Sequence, residues 1–216
     1  MNREWSEKNK QMQSLFKKAS FAEGIVELID LRNILMAEMM SWRKELSSDD
    51  YSMIPYINAD GYHSKTIAYS IWHIMRIEDI VVNTLILNQE EVLFADSYLK
   101  KINSPIITTG NELAKGEIAE FSKGLNLEAL YMYAEAVKQN TDAWLKSILF
   151  DDLKIKFSED DKDRIRENKV VSTAEEAVWL IDFWCGKDIK GLIRMPLSRH
   201  WIMHIEAANR IKSKLQ

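Results

Sequence analysis

Glycine and proline are scarce in this chain, seven and three among 216 residues. A sheet protein built on many tight turns needs more of both, so the composition favours long, uninterrupted helices. The single cysteine, Cys185, excludes an intramolecular disulfide and fits a reducing, cytoplasmic setting. No run of about 18 apolar residues occurs, so no segment reads as a membrane span. Residues 1–18 lack the apolar core of a secretory signal. Cations do not dominate: 29 Lys and Arg stand against 33 Asp and Glu, a net charge of −4, which leaves no positive field for nucleic acid. Phosphate loops, dinucleotide fingerprints and Ser-His-Asp patterns are also missing. Histidine is rare too, with four in all, and its placement carries most of what the sequence says about function.

What is present is a large apolar fraction, 46%, in a chain of ordinary single-domain length. One domain over residues 1–216 is expected. Residues 4–18 read as a short amphipathic helix carrying Trp5, Met12, Leu15 and Phe16. Residues 20–47 read as a long helix, with Ile25, Leu28, Leu31, Leu35, Met39, Trp42 and Leu46 at steps of three and four. Residues 51–63, with Pro55, Asn58 and Gly61, form a loop. A second long helix, residues 64–88, is apolar over a wide arc and should be central. Residues 96–108 look like a connection and residues 110–121 like a short helix. Residues 126–149 form a third long helix with a bundle seam from Leu127 to Ile148. Residues 151–171 are rich in charge, with a short extended piece at Leu153, Ile155 and Phe157. Ser172 and Glu175 have capping-box spacing and open a helix that ends at Gly186. Pro196 suits the first turn of a last helix, which runs to about residue 213. The whole reads as all-α, a four-helix bundle with long crossover connections and an extra N-terminal helix.

Two of the histidines, His200 and His204, stand four residues apart in the last helix, on the face of Met203, Ala207 and Ile211. Residues i and i+4 of a helix are neighbours, close enough for two imidazoles to share one ion. His73 lies on an apolar stripe of the second long helix. Neutral imidazole is the commonest metal ligand, and bundle cores are where helical proteins build metal sites. Three nitrogen ligands leave a position open for chemistry, and they suit zinc, nickel, iron(II) or cobalt alike. His-Glu-x-x-His is absent, so no glutamate base accompanies the pair as it does in zincin proteases. The spacing alone also fits two partly buried histidines bonded to backbone or carboxylates. A lone histidine on an apolar stripe is more often a satisfied core residue.

Ser70-Ile71-Trp72-His73-Ile74-Met75-Arg76-Ile77-Glu78-Asp79 resembles the second-helix motif of the DinB/YfiT-like metalloenzymes. His200-x-x-x-His204, followed by Arg210 and Leu215, resembles the motif of their last helix. The similarity extends over residues 25–215, and these two segments are its specific part. The resemblance implies a DinB-like four-helix bundle that holds one divalent metal, zinc, nickel or iron, through His73, His200 and His204. Characterised members include thiol-dependent S-transferases and isomerases. The resemblance therefore implies a small-molecule substrate, with a low-molecular-weight thiol among the candidates, and a homodimer. The chain departs from the common pattern at Arg76, where a second histidine often follows the first, and at Ile205-Glu206-Ala207. Its N-terminal segment and residues 151–171 are additions. These departures bear on the substrate more than on the metal.

Two functions fit. One is a metal-dependent enzyme that activates water or a thiol for S-transfer or hydrolysis. The other is a non-enzymatic, dimeric stress-response or ligand-binding bundle in which the histidines are structural. Glu78 is the candidate catalytic group, as a general base or as a carboxylate holding a histidine ring. A surface carboxylate paired with Arg76 is its more ordinary role. Asp79 is a weaker candidate of the same kind. His63 sits in the loop before the second long helix, where it can reach the mouth of a bundle. Cys185 reads as core, and Asp160-Asp161 with its neighbours as solvated surface. Trp72 and Trp201, beside the proposed ligands, either shape a pocket or simply pack.

Overall fold

The structure, a computed structural model, describes residues 2–59 and 61–216. Among these residues it is all-helical, with no strand and one isolated bridge between Lys156 and Asp188. The helices are α1 (Arg3–Leu15), α2 (Phe21–Glu45), α3 (Ile67–Asp79), α4 (Val92–Ala95), α5 (Tyr98–Ile102), α6 (Gly116–Lys123), α7 (Leu127–Ser147), α8 (Glu159–Glu167), α9 (Glu175–Cys185), α10 (Ile189–Arg194) and α11 (His200–Leu215). No helix among the described residues is long and apolar enough to cross a membrane.

α3 is buried at every position, which its wide apolar arc requires. Thr66 starts it, with Oγ1 accepting from the Tyr69 amide at 3.0 Å. α3 and α2 each pack against both α7 and α11, so the four long helices close a ring. α1 folds back along α2. Trp42, Trp72, Trp184 and Trp201 are fully enclosed. Truncating any one of them to alanine should cost on the order of 3–5 kcal/mol.

Several expectations change. The second long helix keeps its α form only to Asp79 and continues as a wider π-turned segment, Ile80–Ile86. The connection expected at residues 96–108 contains helix: α5 lies inside it, and α4 just precedes it. Both are too short for periodicity to reveal. α4 is held instead by Asp79, whose carboxylate accepts from the amides of Val92 and Leu93 at 2.9 and 3.0 Å. The extended piece near Leu153 is a 3₁₀ turn, Phe150–Lys154, followed by the lone bridge. The charge run beyond it forms α8, with Ser158 and Asp161 as a capping box. From α8, Arg164 donates to the carbonyls of Thr84 and Leu85 at 2.9 and 3.0 Å, meeting the open end of the π-turned segment. The Ser172–Glu175 capping box does not form. Ala174 is the N-cap of α9, and Ser172 Oγ accepts from the Ala174 amide.

The last helix starts seven residues earlier than Pro196 implies, at Ile189, where Asp188 Oδ1 accepts from the Gly191 amide at 2.8 Å. It then passes through a π turn, Met195–Arg199, into α11. Pro196 lies inside that turn. A proline lacks the N–H that a regular helix interior needs, and a widened turn is one of the few places that tolerates it.

Glu78 is neither on the surface nor paired with Arg76. It is wholly buried and accepts from Arg32 through both oxygens, Nη2 to Oε1 at 2.6 Å and Nη1 to Oε2 at 2.8 Å. Trp201 Nε1 donates to the same Oε2 at 2.9 Å. Arg32 also donates to Asp142 Oδ1 at 2.7 Å and to the Leu197 carbonyl at 3.0 Å. Arg76 makes a second buried cluster with Glu91, Asp79 and Tyr133. Removing one member of a buried charge pair strands the other in a medium that cannot solvate it. Glu78→Leu should therefore lower unfolding free energy by about 3–5 kcal/mol. Glu7→Ala, which breaks the exposed Arg3–Glu7 pair, should change it by no more than about 0.5 kcal/mol. Urea titrations of the two variants check this, and similar midpoints would refute the buried-pair account.

Candidate metal centre

Four side chains on one face of α3, at i, i+3, i+4 and i+7, bind successive carbonyls of the segment before α6. Tyr69 Oη donates to Gly110 at 3.1 Å, Trp72 Nε1 to Thr108 at 3.1 Å, His73 Nδ1 to Thr109 at 2.8 Å, and Arg76 Nη2 to Ile107 at 2.7 Å. The segment can follow α3 so closely because Gly110 adopts φ +78°, where a Cβ would also meet Tyr69 Cε2 at 3.0 Å. A carbonyl can only accept, so His73 carries its proton on Nδ1 and Nε2 is left with its lone pair.

His200 and His204 come from the first two turns of α11, directly after the π turn. One ligand atom from each of His73, His200 and His204 can be chosen so that all lie within 4.8 Å of one another. The ring centroids are 5.1, 4.7 and 4.4 Å apart. The three rings are almost wholly buried, and Nδ1 of His200 and of His204 has no hydrogen-bond partner among the described residues. Buried polar nitrogens left unpaired are costly, and the three rings lie close enough together to hold one metal ion. Tyr69 stacks on His73 at 5.4 Å, and Tyr62 meets His204 edge-on at 4.7 Å.

Burial holds all three imidazoles neutral. Desolvation lowers His73 to about 4, opposed only by its bond to Thr109. His200 and His204 are pushed well below the ordinary value by burial first and by neighbouring histidines second. Neutral imidazole is the form that binds a metal.

The histidines floor a cleft of about 300 Å³. It is lined by Tyr62, Lys65, Tyr69 and Asn111, and by Trp179, Leu180, Phe183, Trp184, Met195 and Pro196. Glu78, Asp79, His63, Trp72 and Trp201 are not part of the lining. Glu78 is bound to Arg32, Asp79 caps α4, and His63 Nε2 lies 2.6 Å from Arg210. Cys185 is buried, with its thiol pushed up to about 11 by desolvation, as a core cysteine should be. Asp160 is exposed, whereas Asp161 is half-buried and holds Arg164. Sequence reading missed Lys65, Tyr69 and Trp179. The donor spacing of Tyr69, Trp72, His73 and Arg76 was a usable signal for the first part of the lining, whereas nothing local marks Trp179.

No protein-family model matches this chain, and no curated protein matches it.

The lowered histidine values set a pH window. Unfolded imidazoles take up protons near pH 6.5, and folded His73 resists until about pH 4. Between those limits the unfolded state binds more protons, so stability falls as pH falls. His73 alone should account for a loss of about 3 kcal/mol across the window in metal-free protein. Urea unfolding of EDTA-treated protein at pH 7 and 4.5 measures it. The loss should shrink in a His73→Gln, His200→Gln, His204→Gln variant, and an equal loss there would disprove the assignment.

Proposed function

We propose that this protein is a metal-dependent enzyme of the DinB/YfiT-like kind, with one divalent ion held by His73, His200 and His204. On this reading α2, α3, α7 and α11 are its four-helix bundle, and the shorter helices belong to the crossovers. The observation that carries the proposal is the convergence of three neutral, buried imidazoles, two with unpaired nitrogens, on the floor of an open cleft. The three ligands leave room in the coordination sphere, and the cleft leads to it.

A bound divalent ion would supply a water or thiol activated near neutral pH, the requirement of hydrolysis and S-transfer alike. The chain supplies the rest. The Thr109 carbonyl fixes the His73 tautomer and ring angle. Glu78 is a positioning residue: through Trp201 and Arg32 it anchors the turn that carries His200. The cleft volume suits a small molecule and stands at the low end of such sites.

Protein purified without a histidine tag should contain divalent metal in stoichiometric amount by elemental analysis. His204→Ala should lose that metal while keeping its far-ultraviolet helix signal. Protein that carries no metal, and takes up neither zinc nor nickel on addition, would end the proposal.

A further inference from the structure

The lining of the cleft combines a cationic and polar part with an apolar, aromatic part. No carboxylate among the described residues lines it. Its one cationic side chain, Lys65, is half-buried and forms no ion pair or hydrogen bond among the described residues. Its Nζ lies 4.9 Å from the centroid of the Tyr69 ring. Tyr69 in turn stacks on His73. An ammonium that is partly desolvated without an anion beside it costs free energy, so a fold that keeps one there is matched to a ligand that brings the anion. Burial alone pushes the Lys65 value down, with no carboxylate offsetting it. Asn111 adds to the donor character: its Oδ1 accepts from Thr109 Oγ1, and its amide nitrogen has no partner among the described residues.

The lining contributed by α9 is apolar and aromatic. Trp179 is 49% exposed although it belongs to a packed helix, and its ring meets Phe183 edge-on at 5.6 Å. Trp179 Nε1 is already satisfied by the Glu176 carbonyl at 2.9 Å, so the indole offers the cleft a face without a polar demand. Trp184 and Leu180, from the same helix, also line the cleft and are buried.

We propose that the cleft binds an amphipathic organic anion, with its anionic oxygen group at Lys65, its apolar body against Trp179 and Phe183, and its other end at the histidines. The proposal rests on the metal-site reading only for what happens at that last end. Anionic recognition by Lys65 requires no metal and can be measured apart from it.

The probes are 4-phenylbutyrate, 3-phenylpropyl phosphate and uncharged 4-phenylbutanamide, titrated calorimetrically into the full chain in EDTA-treated and in zinc-loaded form. In both forms at least one of the two anions should bind about tenfold or more tightly than the amide. Whichever anion binds better identifies the head group. Lys65→Met keeps the side-chain stem over Tyr69 and should erase that preference, whereas Lys65→Arg should retain most of it. An amide that binds as well as both anions to the unaltered chain overturns the proposal without recourse to any variant. So does an anion preference that survives Lys65→Met, or one that vanishes with EDTA and is indifferent to Lys65. Failure both to carry any metal and to load either zinc or nickel would overturn the metal reading alone, since the comparison in metal-free protein still decides the role of Lys65.

Discussion

One guanidinium holds the architecture in register. Arg32, on α2, is met by Glu78 of α3, Asp142 of α7, the Leu197 carbonyl of the π turn and the Trp201 ring of α11. Every partner comes from a different segment, and the charge is fully enclosed. Such a group gains little net stability over an apolar core of the same shape, because desolvation consumes most of the attraction. Its effect is selective. Any packing that slides one of the four helices leaves a buried charge unmatched, so near-native arrangements are penalised steeply. Leu197 and Trp201 bracket His200, which ties the most tightly specified point of the fold to the histidine cluster.

The other side of the cluster is held by different means. The carbonyls of residues 107–110 face α3 and are taken up by its side chains, so a connection with little regular structure becomes a fixed strap. His73 is one rung of that strap. Its ring orientation is therefore set by backbone that would otherwise be free to move, and Tyr69, one turn earlier, contributes both a rung and the stacking surface.

The three histidines were legible because histidine is rare here and because the apolar periodicity of α3 and α11 showed which way those positions face. The same periodicity is silent on what lies opposite. Glu78 read as solvated because carboxylates usually are, and only the tertiary placement of Arg32 makes its burial possible. Arg32 did leave a trace, since position 32 falls on the three-and-four spacing between Leu28 and Leu35 where an apolar residue is expected. Pro196 misled for a physical reason: proline marks a helix start only when the helix is regular, and here it occupies a widened turn. Lys65 and Trp179 belong to segments far apart in the chain, and no local pattern announces that they share a cleft.

The π turn at Met195–Arg199 has a consequence for chain length. Each residue added to or removed from a helix rotates everything beyond it by about 100°. His200 and His204 follow that turn immediately, and α10 before it is fixed by its own cap at Asp188. A one-residue deletion in the regular helix between Asp188 and the turn swings both imidazoles off the axis toward His73, whereas the widened turn is itself where one extra residue is taken up with little change of phase. Point substitutions in this stretch act locally, whereas insertions and deletions act on the phase of the whole helix. The spacing from Asp188 to Met195 is thus a length that the three-histidine geometry depends on.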